Sequence, residues 1–197
     1  MGKKPVPNYV RDIRNNNYSY DKITRILFKN LKISTYPINV FKIAKEFQFD
    51  IFYGTFKQDN ISGAMWDGDT PINVGDKTSS RFILLNKNDD INRQAFTVAH
   101  ELGHFLLDCN DNSNFYERYH GDEKQTGDEK KMEDRADQMA ANILMPSWFI
   151  EAYVSYIRKA MNMPRENLVE QMTKDFNVEK AAASKRLDEL KIALKED

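Results

Sequence analysis

The chain has 197 residues, of which 41% are hydrophobic and 12% aromatic. That suffices for one sizeable core with a small appended lobe and is too apolar for a disordered chain. The single cysteine, Cys109, excludes an internal disulfide framework and points to a reducing compartment. The net charge of -1 is unevenly spread, because residues 1–48 carry ten Lys/Arg against Asp12, Asp21 and Glu46. Such a basic region reads first as a solvated surface, and second as a contact for nucleic acid or an acidic partner.

The first residues, Met1 to Val6, contain no apolar run of the signal-peptide kind. Val6 stands where a myristoylation signal needs Ser or Thr. The most apolar stretch, Met139 to Ile150, is interrupted by Asn142, Pro146 and Ser147 and is too short to span a bilayer. The expectation is a soluble, cytoplasmic protein.

In chain order, Tyr20, Ile23, Ile26, Leu27, Phe28 and Leu31 predict a helix over 20–33. Pro37 interrupts the pattern, and Val40, Ile43, Ala44 and Phe47 predict a second helix over 39–47. Phe49 to Tyr53 reads as a strand, followed by short strand candidates at Ile61–Trp66 and Pro71–Val74 and a stronger one at Arg81–Asn86. A helix capped by Asp89 or Asp90 follows, running to about Leu107 with Phe96, Ala99, Gly103 and Leu106 on its apolar face. Residues 109–128, rich in Asn, Asp and Gly, read as a long loop. Helical character returns from Glu129 to Met145 and stops at Pro146, with Ser147 as the cap of the next helix. After Pro164 two short helices meet near Asn177. Helices, a small sheet, then helices make an α+β arrangement.

The chemistry lies in His100-Glu101-Leu102-Gly103-His104. Positions i and i+4 share one face of a helix, so two imidazoles there can hold one metal ion. Glu101 projects to the flank of that face, where a carboxylate can take a proton from a metal-activated water without ligating the metal. Gly103 lowers helix propensity by about 1 kcal/mol relative to alanine, which makes sense if a backbone or a substrate approaches closely. A catalytic zinc site has three protein ligands and one open position. His120 is one candidate for the third ligand and Glu133 the better one. Asp137, four residues beyond Glu133, is placed to accept a hydrogen bond from a ligating histidine. Spacing alone leaves open the reading of Glu129, Glu133, Asp134 and Asp137 as a solvated helix face.

Two segments carry a resemblance. Phe96 to Leu107 is similar to the metal-binding helix of the ImmA/IrrE metallopeptidases. Glu133-Asp134-Arg135-Ala136-Asp137, followed by Ala140-Ala141 and Leu144-Met145-Pro146, resembles the family's second motif. The resemblance implies a zincin-like α+β fold, with a small mixed sheet packed on the HExxH helix and a C-terminal helical lobe. It implies His100, His104 and Glu133 as ligands, Glu101 as catalytic acid/base and Asp137 as the partner of a ligating ring. Relatives often carry asparagine at Asp137 and an acidic residue at Arg135. The likeness extends weakly into Phe176-x-Val178, Ala182, Arg186-Leu187 and Leu190, similar to a helix-turn-helix-like tail, with Glu179 and Lys191 departing from the usual Ser/Thr and Gly. The chain then divides into a peptidase domain over 1–160 and a packing lobe over 161–197. The tail's seven basic and eight acidic residues argue against a nucleic-acid contact.

The implied activity is zinc-dependent endopeptidase cleavage of a separate helix-turn-helix repressor, as an anti-repressor of the kind encoded on mobile elements. The rival reading is a non-proteolytic metal-containing protein that regulates by binding a repressor or nucleic acid. Two imidazoles and a carboxylate also accept manganese, iron or cobalt, with zinc the default. Tyr116, Tyr119 and His120 are candidates for stabilising the oxyanion. Cys109 reads as a small buried hydrophobe rather than a thiolate ligand. The strand of Ile61, Met65 and Trp66 is a candidate sheet edge on which an extended substrate could pair.

Overall fold

The computed structural model describes residues 5–57, 61–109, 114–119, 127–161 and 164–192, with the backbone alone at 114–119. Helices α1 (Asn8–Asn15), α2 (Tyr20–Leu31) and α3 (Val40–Glu46) precede strands β1 (Asp50–Gly54), β2 (Ile61–Val74) and β3 (Lys77–Asn86). Helix α4 (Ile91–Leu107) is followed by strand β4 (Asn114–Tyr119). The chain continues through helices α5 (Gly127–Leu144), α6 (Ser147–Met161), α7 (Arg165–Phe176) and α8 (Lys180–Glu189). The fold is α+β. No described helix is long and apolar enough to cross a membrane.

The sheet is mixed, in the order β1-β3-β2-β4. Strand β1 runs parallel to β3, and β2 runs antiparallel to both β3 and β4. Two expectations are corrected here. The short strand candidates at 61–66 and 71–74 are one strand, since β2 crosses Gly68 and Pro71 with a register irregularity between Asp67 and Ile72. The segment read as a loop over 109–128 contains β4, which pairs with β2 from Ile61 to Asp67. The strand holding Ile61, Met65 and Trp66 is therefore interior there, and β4 is the edge. Cross-strand pairing overrode the polar composition around Phe115 and Tyr116, which periodicity alone could not see.

Helix α4 lies at the centre of the molecule. Asp90 caps it, its side chain accepting from the backbone N–H groups of Asn92 and Arg93 at 2.9 and 3.0 Å. Val98, Ala99, Leu102, Phe105 and Leu106 of α4 are fully buried, against Met65 of β2 and Ile83 and Leu85 of β3 on one side. Met139, Ala140 and Ile143 of α5 pack on the other. Two glycines let the neighbours approach. A Cβ on Gly63 of β2 would lie 2.5 Å from Thr97 Cγ2 and 2.9 Å from the Leu84 carbonyl oxygen. A Cβ on Gly103 would lie 2.9 Å from the Ala136 carbonyl oxygen and 3.0 Å from its Cα. The glycine inside the motif thus marks the crossing of α4 and α5.

The predicted helices at 20–33 and 39–47 appear as α2 and α3, with Asn39 capping α3. Helix α1 went unpredicted because only Val10 and Ile13 of its eight residues are buried. Some of the amino-terminal charge is spent on contacts. Arg14 donates twice to the Phe105 carbonyl, and Arg25 pairs with Asp21 and lies over the Trp148 ring. Ser147 is the first residue of α6, not its cap, and its hydroxyl donates to Asp21 of α2.

The tail helices join the same core, to which α7 contributes Leu168, Val169, Met172 and Phe176 and α8 contributes Ala183 and Leu187. Arg186 of α8, itself buried, donates to the Met145 carbonyl and to Asn142 of α5 at 2.9 Å each. A further buried pair lies behind α4. Arg81 Nε donates to Asp67 at 2.9 Å, and its Nη1 to the Phe47 carbonyl at 2.8 Å.

Candidate metal centre

His100 and His104 project from one face of α4, both 1% exposed. Their Nε2 atoms lie 3.0 Å apart. From α5, one turn before the Gly103–Ala136 crossing, Glu133 presents its two carboxylate oxygens at 3.1 Å, one to each Nε2. The other ring nitrogens are held from behind: His100 Nδ1 is 2.8 Å from Asp137 of α5, and His104 Nδ1 is 2.9 Å from Asp108 at the end of α4. With Nδ1–H donated to a carboxylate, Nε2 is the nitrogen aimed at Glu133, and it offers its lone pair to a metal once it has given up its proton.

The donor set fits a divalent metal. Ligands at about 2.05 Å from a tetrahedral ion lie about 3.3 Å from one another. The separations of 3.0 and 3.1 Å in the cluster are within a few tenths of an ångström of that. Two imidazoles and a carboxylate suit zinc and also manganese, iron or cobalt. His100, His104 and Glu133 form such a group among the described residues.

The metal-free charges are arranged as a cation site would arrange them. Burial works against charging His104, but hydrogen bonds to Asp108 and Glu133, with the Glu101 charge nearby, hold it up at about 9. Burial alone would raise the Glu133 carboxyl, but hydrogen bonds from His100 and His104 hold it down at about 2. Glu101 itself is fully buried on the flank of the histidine face.

The chain belongs to a peptidase family. The Peptidase_M78 family, the IrrE N-terminal-like domain, matches residues 44–188, which include the sheet, α4, α5 and the tail helices. Among curated proteins none matches the chain. The α+β architecture around α4 agrees with a zincin-like domain of the Peptidase_M78 family.

The structure brings together His100, Glu101, His104, Glu133 and Asp137. Of the oxyanion candidates, Tyr116 and Tyr119 lie on β4, where only the backbone is described, and His120 lies outside the described residues. Cys109 is buried and forms no disulfide among the described residues, and burial pushes its thiol up to about 12. Sequence reasoning missed Asp108. The signal was available, since it stands four residues beyond His104, the spacing that pairs side chains on a helix. A cavity of about 160 Å³ borders the centre through Asp137 and Thr97 and is also lined by Ser62, Arg93, Phe96 and Glu179.

Proposed function

We propose that the chain is a cytoplasmic zinc-dependent endopeptidase, with His100, His104 and Glu133 holding the metal and Glu101 as the general acid/base. The observation that carries this reading is the convergence of two buried imidazoles and a carboxylate from a second helix, with separations of 3.0 to 3.1 Å, beside the fully buried Glu101. A metal bound there supplies Lewis acidity, polarising the scissile carbonyl and lowering the pKa of the attacking water.

The chain's own groups do the rest. Asp137 and Asp108 hold the two rings with Nε2 aimed at the site. Glu101, buried and out of bulk water, takes the proton from the attacking water and returns it to the leaving amine nitrogen. A structural metal site needs no such acid, so an intact Glu101 favours hydrolysis over a binding role. The substrate proposed is a separate helix-turn-helix repressor, and cleavage would relieve repression on a mobile element. Residues 161–197 serve in this reading as a packing lobe for α5 and α6 rather than as a nucleic-acid contact.

The test uses the purified chain and a purified helix-turn-helix repressor as candidate substrate. A single cut in the regulator, abolished by a chelator and restored by zinc, is the expected result. An intact regulator held in a stable complex would instead favour the non-proteolytic reading.

A further inference from the structure

Glu133 and the two histidines set the site, but the two rings are not held alike. His100 is backed by Asp137, whose side chain is 37% exposed and lies on the opposing helix. His104 is backed by Asp108, which is 1% exposed and lies at the end of the same helix. Asp108 Oδ2 takes the His104 Nδ1 side at 2.9 Å. Its other oxygen, Oδ1, accepts from Nη2 of Arg135, which reaches across from α5.

Helix stability does not account for Asp108. A carboxylate at a helix C-terminus faces the negative end of the helix dipole. Burying it adds a desolvation cost unless donors satisfy it. Asp108 bears both costs, and the two donors that offset them are the candidate ligand His104 and Arg135. Arg135 stands two residues after Glu133 on α5, so the same helix that delivers the third candidate ligand also grips the carboxylate behind the second. Both arms of that link, Glu133 to His104 and Arg135 to Asp108, run between the two helices on the same side of the Gly103–Ala136 approach.

We propose that Asp108 and Arg135 form a positioning relay for the metal centre: Asp108 fixes the tautomer and orientation of His104, and Arg135 acts only by fixing Asp108. This rests on the metal-site reading above. Arg135 is then no substrate contact of the centre, and its effect passes through one carboxylate.

The experiment measures Zn²⁺ dissociation constants by competition with a chromophoric chelator for wild type, Asp108→Ala, Asp108→Asn, Arg135→Ala and the Asp108→Ala/Arg135→Ala double variant. His104→Ala and Glu133→Ala serve as site controls, and chelator-treated protein gives the unfolding midpoint of each. Asp108→Ala is expected to weaken zinc binding by about 10- to 100-fold. Arg135→Ala should weaken it less. Asp108→Asn keeps an acceptor for His104 but turns an amide donor towards Arg135, and should fall between wild type and Asp108→Ala. The double variant should match Asp108→Ala within about twofold, because a residue acting only through Asp108 has nothing left to act on.

Should the two single losses multiply in the double variant, Arg135 acts independently and the relay is wrong. Zinc bound as tightly by Asp108→Ala as by wild type, with His104→Ala deficient, would overturn the proposal and leave the metal site standing. If His104→Ala and Glu133→Ala bind zinc like wild type, the site reading itself fails and the relay with it. Should Asp108→Ala not fold, the comparison of Asp108→Asn with Arg135→Ala decides, and wild-type affinity in both overturns the relay.

Discussion

Gly103→Ala sets two physical effects against each other at the crossing that assembles the site. On helix propensity alone, alanine in the middle of α4 should stabilise the protein by about 0.8–1 kcal/mol. The added methyl would, however, meet the Ala136 carbonyl oxygen at 2.9 Å and its Cα at 3.0 Å. These are backbone atoms of a packed helix, so α5 must move away. Overpacking of this kind costs about 1–3 kcal/mol. The net expectation is a loss of up to about 2 kcal/mol, with no net gain, after the propensity gain is subtracted. Glu133 sits one turn before Ala136, so displacing α5 also lengthens its 3.1 Å approaches to the two histidines. Chemical denaturation of metal-free protein reads the first effect and a zinc titration reads the second. A variant stabilised by about 1 kcal/mol with unchanged zinc affinity would show that propensity alone governs this position and refute the reasoning.

Other consequences follow from individual groups. Asp67→Ala leaves the Arg81 guanidinium buried without its carboxylate, and denaturation should report a loss of about 3–5 kcal/mol; a change below 1 kcal/mol would mean that water or another group replaces the partner. His104 carries its proton up to about pH 9 in the metal-free chain, and a ligand must be neutral. The competition for that nitrogen weakens as pH rises, so apparent zinc affinity should climb from pH 7 to 9 while binding releases protons, measurable by calorimetry in buffers of different ionisation enthalpy. No proton release at pH 7 would contradict the charge assignment. Ending the chain after residue 163 removes Leu168, Met172, Phe176 and Leu187 from the shared core, together with the Arg186 clamp on α5. That chain should show no cooperative unfolding transition, and a sharp one would establish 1–160 as an independent domain.

The legible parts of the molecule were those written in periodicity and spacing. His100, Glu101 and His104 share a helix, so their relation is fixed by 3.6 residues per turn and could be read directly. Gly103 was legible as a close approach, though not which backbone approaches. Glu133 and Asp137 were open between ligands and solvated face on spacing alone, because their roles depend on how α5 crosses α4. Strand β4 was illegible, as its polar surroundings resemble a loop until β2 pairs with it. Helix α1 was hidden by its small buried face, held to the core through Val10, Ile13 and the Arg14–Phe105 bonds. Asp108 was hidden because its burial and its bond with Arg135 arise only when α5 packs across the end of α4.

The central claim is that Glu101 works on a substrate at a metal held by other residues. The most direct measurement takes wild type and Glu101→Gln side by side, counting bound metal and following cleavage of the same regulator. Equal metal in both, with cleavage by wild type alone, is the expected result. Cleavage by Glu101→Gln at the wild-type rate would contradict the account.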